Sequence, residues 1–364
     1  MTGRAFDVVV AGAGPAGSAA ALALRAHGLD VALVDDGRTC DRRMGESLSS
    51  AARFALDDLD LWESFVRANW CPSYVVRSSW AGELRERSAS EGDGIPDYHL
   101  DRGRFDAWLV SRAVERGAVF VGSSRVSAAH FDEKRQRWNV TLSAPGGRKS
   151  FEASYLVDGT GRSATLSRRL GAVRSVHDRL VGISRFFRNA AWEPAVVIEA
   201  TRDGWWYTAP VPGNEIVALF VTYAKNPVLR ALAAGSLAAS SREAPLTAAR
   251  LRGAVPCGNV RGYDASPAVT RCRAGRPWLA VGDAGVAFDP ISGQGLCLAL
   301  RSGLDAAFTI ASARSGSDDA FAAYRAGLET LFEHHLRARA LLYRAERRWS
   351  ESPFWSVRSS MRTT

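Results

Sequence analysis

The chain has 364 residues, 46% of them hydrophobic and 23% charged, a composition that excludes a disordered, collagen-like or coiled-coil protein. That length suits two domains, or one large domain with an insertion. Forty-seven basic residues against 38 acidic give a formal charge of +9, yet Lys134, Lys149 and Lys225 are the only lysines and the 44 arginines are scattered without any zinc-finger, RRM or basic-helix pattern, which argues against nucleic acid as a partner.

In chain order, Phe6 to Ala11 is a β-branched run, followed by a glycine turn, a helical stretch from Ala16 to His27, Gly28, and a second strand-like run from Val31 to Val34. This is a βαβ unit. A turn-rich stretch over 36–47 precedes a predicted helix from Ala51 to Ala68, and tryptophan and arginine dominate up to Ser90. A loop from Glu91 to Pro96 leads to a helix over Arg104–Gly117, with Phe105, Leu109, Val110 and Ala113 on one face. Strands are predicted at Val119–Val121, Val126–Phe131, Trp138–Leu142 and Tyr155–Val157, and an antiparallel group between Val181 and Tyr223 is broken by Gly204, Pro210, Pro212 and Gly213. A buried strand at Trp278–Val281 runs into Gly282 and Asp283, and helices are predicted at Gly295–Ala313 and Ala320–Arg348. The cysteines (Cys40, Cys71, Cys257, Cys272, Cys297) are odd in number and lack C-x-x-C spacing, so reduced thiols and no metal site are expected. No apolar run reaches the roughly eighteen uninterrupted residues of a membrane span, so the reading is a cytoplasmic protein.

The sharpest motif is Gly12-Ala13-Gly14-Pro15-Ala16-Gly17, placed after a strand and opening a helix, with Asp35 ending the next strand. Gly12 permits the tight turn, Gly14 lets backbone approach a pyrophosphate, Gly17 allows close packing, and Asp35 or its neighbour Asp36 can accept hydrogen bonds from ribose hydroxyls. Two later segments follow strands in the same way. They are Asp158-Gly159-Thr160-Gly161-Arg162-Ser163 and Gly282-Asp283-Ala284-Gly285, the latter continuing through Asp289-Pro290-Ile291-Ser292-Gly293-Gln294-Gly295 into a helix.

Together these segments resemble the flavoprotein monooxygenases with the para-hydroxybenzoate hydroxylase fold, over Phe6 to about residue 310. The resemblance implies FAD held by Gly12, Gly14, Ala16, Gly17, Asp35, Asp158, Gly282, Asp283, Pro290 and Gly293. Asp283 would bind the ribityl chain, the Pro290–Gly295 loop would lie against the isoalloxazine with Gln294 and Gly295 at the reacting edge, and Asp158, Gly161 and Arg162 would contact both FAD and a transient NAD(P)H. Gly45-Glu46-Ser47-Leu48 and Arg102 narrow the resemblance to the branch containing tryptophan halogenases and the flavoproteins that mature quinone-cofactor (cysteine tryptophylquinone) amine oxidases, with Glu46, Ser47 and Arg102 near FAD.

Halogenases of this branch use a lysine after the glycine-glutamate motif, whereas the first lysine here is Lys134 and Ala68–Gly82 offers only Arg77, whose guanidinium cannot replace an amine. The halogenase W-x-W-x-I-P motif is only echoed by Trp205-Trp206-Tyr207-Thr208-Ala209-Pro210. The expected activity is therefore monooxygenation of an indole or other aromatic, with tryptophan in a peptide or partner protein as the favoured substrate class. It implies reduction of FAD by NAD(P)H, reaction with O2, and oxygen transfer from a flavin C(4a)-hydroperoxide. Alternatives are a halogenase, a flavin-dependent alkene reductase and a non-catalytic flavin-binding partner protein. Trp80, Trp205, Trp206 and Tyr207 are candidate substrate walls, and core packing is the competing reading of each. His99 is the first candidate for a general base, while His334 and His335 read as a surface pair.

The expected fold class is α/β. An FAD-binding Rossmann-type domain (1–75, 98–180 and 270–318) would be interrupted by a mostly antiparallel substrate-binding domain (76–97 and 181–269), with a C-terminal helical segment at 319–364.

Overall fold

The computed structural model describes residues 4–37, 44–88, 94–188, 193–233, 237, 241–272 and 275–360. The βαβ unit forms as its sequence dictates: β1 (Arg4–Ala11), α1 (Pro15–Ala26) and β2 (Val31–Val34). Val8, Val9 and Val10 have no exposed surface because β1 is covered on both faces, and it runs parallel to β2 on one side and to a later strand on the other.

The next stretch differs from expectation. The helix expected over Ala51–Ala68 is two short ones, α2 (Ala52–Asp58) and α3 (Trp62–Arg67), separated by Asp60 in the left-handed region at φ 54°. Leu59 and Leu61 are both buried, and two residues two apart point to different sides of a continuous helix. The break turns both inward.

β3 (Ser47–Leu48) and β4 (Cys71–Ser73) flank β7 (Asp97–His99) in a small antiparallel sheet, while β5 (Val75–Trp80) and β6 (Glu83–Ser88) form a hairpin. Then come α4 (Arg102–Glu115), β8 (Val119–Val121), β9 (Arg125–Asp132), β10 (Arg137–Ala144), β11 (Gly147–Asp158) and α5 (Thr165–Arg169). The first large sheet has the order β8-β2-β1-β11-β10-β9, with β19 (Trp278–Ala280) also paired to β11.

The second large sheet is built from β13 (Leu180–Arg188), β14 (Ala195–Thr201), β15 (Gly204–Val211), β16 (Glu215–Tyr223) and β17 (Val255–Asp264), together with the β5–β6 hairpin. Its order is β17-β13-β16-β15-β14-β5-β6, antiparallel except where β14 meets β5. Helices α6 (Val228–Ala233) and α7 (Pro245–Arg250) cover one face of this sheet around Trp206, Phe220, Leu232 and Leu251. β12 (Val173–Val176), β18 (Ala268–Arg271) and β20 (Val286–Ala287) form a third sheet.

The chain ends in α8 (Gly295–Arg314), α9 (Ala320–Ala345) and α10 (Pro353–Ser360). α10, inside the helical segment expected at 319–364, starts at a proline, suited to a first helical turn, and buries Phe354 and Trp355. α8 is long and apolar enough to cross a membrane, but it packs in the core against α1, where a Cβ on Gly303 would lie 2.6 Å from the Ala16 carbonyl oxygen. Cys71, Cys257, Cys272 and Cys297 form no disulfide, and Cys40 lies outside the described residues.

Candidate functional site

The start of α1 is shaped by its glycines. Gly12 has φ +96°, its N–H donates to the Val34 carbonyl at 2.7 Å, and a Cβ there would sit 2.4 Å from the Gly159 oxygen. A Cβ on Gly17 would be 1.9 Å from the Gly12 oxygen. Gly14 is the opposite case: it caps α1 in extended conformation without any side-chain cap, and a Cβ on it would meet nothing within 4 Å. Pro15 has no N–H, so the first free donors of α1 belong to Ala16 and Gly17, at an end where the helix dipole favours an anion. Asp35 is turned onto the turn itself. Its Oδ2 accepts the Ala13 N–H at 2.8 Å and its Oδ1 accepts that of Gly37 at 2.9 Å, so the carboxylate expected for a ribose first holds the glycine turn, while Asp36 beside it is exposed.

Asp158 is likewise committed to the chain. Its Oδ1 accepts from the Thr160 N–H and hydroxyl at 2.9 and 2.6 Å, and its Oδ2 from the Ser167 N–H and hydroxyl, both at 2.6 Å. No exposed surface remains on Asp158, so its carboxylate braces the 158–167 turn rather than reaching a ligand. Arg162 donates to the Ser266 and Phe288 carbonyls at 2.8 and 2.7 Å and stands 3.4 Å from Asp283. Asp283 keeps a third of its side chain exposed, and the preceding Gly282 faces α1, where its Cβ would be 2.7 Å from that of Ala16. The structure thus brings Gly14, Ala16, Gly282 and Asp283 to one end of α1.

The second glycine-opened helix start is that of α8. Asp289 accepts the Ile291 N–H at 3.1 Å and caps the turn over Pro290–Ser292; Gly293 follows at φ +62°, and Gly293, Gln294 and Gly295 are all exposed. α8 has no side-chain cap, so the N–H groups of its first turn lack intrahelical acceptors, and a Cβ on Gly293 or Gly295 would meet nothing within 4 Å. His335 is a correction to the surface reading. It is buried, stacks on Phe288 at 4.1 Å, and its Nε2 accepts the Asp289 N–H at 3.0 Å; only His334 is exposed. Burial lowers the His335 pKa to about 4, so it is a neutral acceptor at pH 7.

Between these elements and the second sheet lies a polar cluster. Ser47 Oγ is 2.8 Å from the Tyr207 hydroxyl and 3.3 Å from His99 Nδ1, because β3 pairs with β7 and Tyr207 projects from the facing sheet. Glu46 is buried. Its Oε2 accepts the Gly45 N–H at 3.1 Å, its Oε1 has no partner, and burial raises its pKa to about 7 against the counteracting pull of its own and the Gly45 backbone N–H and of Arg102. Arg102 straddles Asp106 at 3.0 and 3.1 Å and donates to the Met44 carbonyl at 2.9 Å, so it staples the Met44–Glu46 turn to α4. His99 does not suit the role of base. Burial, helped by the charge of Arg250, depresses its pKa to about 3, which leaves a neutral imidazole that barely attracts a proton.

Of the four aromatic walls, only Tyr207 reaches this cluster. Successive side chains on β15 point to opposite faces, so Trp206 goes to the α6–α7 side, buried and tilted against Phe220 at 4.9 Å. Trp205 shares the face of Tyr207 but is buried, with its indole N–H donated to the Tyr343 hydroxyl at 3.0 Å. Trp80 donates to the Leu342 carbonyl at 2.8 Å and packs edge-on against Trp355. Those three are packing residues. Ile198 sits opposite Tyr207 on β14, and Met44 and Ile291 pack on the same apolar cluster as Tyr207; sequence reasoning missed them because nothing local marks an apolar residue that meets a distant segment.

The two uncapped helix starts, with room above Gly14, Gly293 and Gly295, fit a dinucleotide whose pyrophosphate meets α1 and whose ring meets α8, so FAD is accommodated by the residues present. A family described as FAD binding domain matches residues 5–327. A protein of Marinomonas mediterranea, named provisionally as the FAD-dependent oxidoreductase LodB, is 29% identical over 98% of this chain and 97% of its own length. The tryptophan 2-halogenase of Chondromyces crocatus is 25% identical over 86% of this chain but only 62% of its own. Among solved structures, the peptidyl tryptophan dihydroxylase QhpG, essential for tryptophylquinone cofactor biogenesis, superposes with a TM-score of 0.77 at 25% identity, covering 98% of this chain and 79% of QhpG. The chain belongs to the FAD-binding domain family and is a flavin-dependent oxidoreductase.

Proposed function

We propose that the protein is an FAD-dependent monooxygenase that hydroxylates an indole- or tryptophan-type aromatic with NAD(P)H and O2, the preferred substrate being tryptophan carried by a peptide or partner protein. The observation that carries this reading is the lysine-free cluster of Glu46, Ser47, Tyr207 and His99 at the junction of the flavin side and the second sheet. Lys134, Lys149 and Lys225 are all exposed, and Arg77 is held between Glu86 and Glu193, which disfavours halogenation even though many relatives carry halogenase names. The names of LodB and QhpG support the oxidoreductase and tryptophan parts of the reading. It extends to a cytoplasmic location, and to a flavin side from 1–75, 98–180 and 270–318 with a substrate side from 76–97 and 181–269.

Bound FAD would supply electron storage and O2 activation. In this reading the donors of Ala16 and Gly17 hold the pyrophosphate, Asp283 the ribityl chain, and the α8 start the ring. Glu46 acts as general base at Oε1. A pKa near 7 lets it take a proton from the ring being hydroxylated and release it again at neutral pH. Tyr207, whose pKa burial pushes further up, stays a phenol and orients the substrate through its hydroxyl, passing protons by way of Ser47 Oγ. Neutral His99 fixes Ser47 from behind. Met44, Ile198 and Ile291, which pack on the same apolar cluster as Tyr207, supply the apolar surroundings that keep water from the reacting edge.

Incubation of tryptophan-containing peptides and free indoles with FAD, NAD(P)H, chloride, bromide and labelled O2, read by mass spectrometry, tests the proposal. Gain of labelled oxygen is expected; incorporation of halogen, or O2-independent saturation of an alkene, would overturn it.

A further inference from the structure

A charged cluster lies inside the protein where α9 and α10 meet the Asp289–Gly295 loop. Asp178, Asp289, Arg339 and Arg358 are each less than a tenth exposed. Arg339 donates from Nε to Asp289 Oδ2 at 2.6 Å and from Nη2 to Asp178, whose other oxygen accepts from Arg358 at 2.9 Å. The Tyr343 hydroxyl donates to Asp289 Oδ2 at 3.1 Å while accepting the Trp205 indole N–H at 3.0 Å. With its own N–H on His335, Asp289 is held by three residues of α9. Arg339, Tyr343 and Arg358 all lie past residue 327, where the family match ends. Apolar side chains of similar volume stabilise an interior about as well as a charged group of this kind, so stability alone does not account for it. What charges and directional hydrogen bonds add is a fixed orientation of Asp289, and Asp289 starts the loop that ends in the uncapped donors of α8.

We propose that Arg339 and Tyr343 are positioning residues for the cofactor: acting through Asp289, they fix the α8 start against the flavin ring and thereby set FAD affinity and midpoint potential. The inference rests on the placement of the ring at this loop. Donors at a helix start favour the anionic reduced ring over the neutral oxidised one, so a loop free to turn away weakens the reduced complex more.

The test compares Arg339→Met, Arg339→Lys and Tyr343→Phe holoproteins by FAD dissociation and spectroelectrochemistry, with Gly295→Glu as a probe of where the ring lies. Arg339→Met is expected to bind reduced FAD about tenfold more weakly relative to oxidised FAD, a fall of about 30 mV in the two-electron potential. Arg339→Lys should recover much of that shift, and Tyr343→Phe, which keeps every charge, should move the potential the same way by less. If Arg339→Met does not fold, Tyr343→Phe decides. Wild-type affinity and potential in the deciding variant, alongside an altered potential in Gly295→Glu, overturn the positioning role and leave the loop as the ring site. An unaltered potential in Gly295→Glu as well overturns the ring placement, and the proposal with it.

Discussion

The two uncapped helix starts, those of α1 and α8, are made in different ways. At α1 the turn is shaped by Gly12, Gly17 and Asp35 of its own strand–turn–helix unit, with backbone alone, at Gly159, Gly282 and Gly303, closing in from elsewhere in the chain. At α8 the shaping contacts come from far along the chain, with Arg339 fifty residues beyond Asp289 and Asp178 a further partner of Arg339. Backbone geometry written into a few adjacent glycines works wherever the strand and helix form. Geometry imposed by side chains works only once distant segments have packed.

That contrast can be broken or sharpened by mutation. The largest effect is expected at Gly17, where a Cβ would overlap backbone: Gly17→Ala should cost at least about 3 kcal/mol of stability and yield colourless protein, measurable by thermal melting and flavin absorbance. Survival of a yellow, stable variant would mean the α1 start is less locally determined than described. Arg339→Met leaves Asp289 and Asp178 short of a counter-charge in the interior, and a loss of about 3 kcal/mol in chemical denaturation is expected.

Glu46→Gln separates side-chain chemistry from backbone binding. The kcat/KM profile of the native protein should rise through pH 7, as Glu46 deprotonates, and the substitution should remove that inflection and slow the rate at least about a hundredfold while FAD stays bound. The sign for stability follows from the raised pKa. The stability that protonated Glu46 contributes is complete below its unfolded pKa near 4.5 and is lost as pH rises through about 7, so Glu46→Gln should gain on the native protein between pH 5 and pH 8, by at most about 3 kcal/mol. A pH-independent difference between the two would contradict the burial of that carboxylate.

The smallest effects test the phase of β15. Tyr207→Phe should slow turnover roughly tenfold with little change in stability, whereas Trp206→Phe should leave turnover nearly intact and cost about 1–2 kcal/mol. The reverse pattern would place the substrate on the other face of the sheet.

Much of the flavin side was legible because it depends on local rules. The βαβ unit, the Gly12–Gly17 turn, the Gly282-Asp283 turn and the long C-terminal helix all follow from periodicity and glycine spacing. What escaped was whatever depends on phase or distance. Nothing in Trp205-Trp206-Tyr207 tells which residue of an apolar strand, buried on both faces, meets Ser47. Asp35 and Asp158 were recognised as important, but the choice between holding a ligand and holding their own turn is made by neighbours within hydrogen-bond reach. Arg339 was one arginine among 44, and its importance arises only when α9 crosses Asp289. The break at Asp60 was hidden because Leu59 and Leu61 are good helix formers whose burial required the chain to turn.

The buried charge cluster also bears on synthesis. Asp178 leaves the ribosome 161 residues ahead of Arg339 and 180 ahead of Arg358, and Asp289 emerges 50 ahead of Arg339. Until those arginines appear, both carboxylates stay hydrated, since an unpaired charge does not enter a protein interior cheaply. The nascent chain can therefore form its opening strand–helix–strand unit early, whereas the Asp289 loop gains its side-chain anchors only after α9 and α10 have been made.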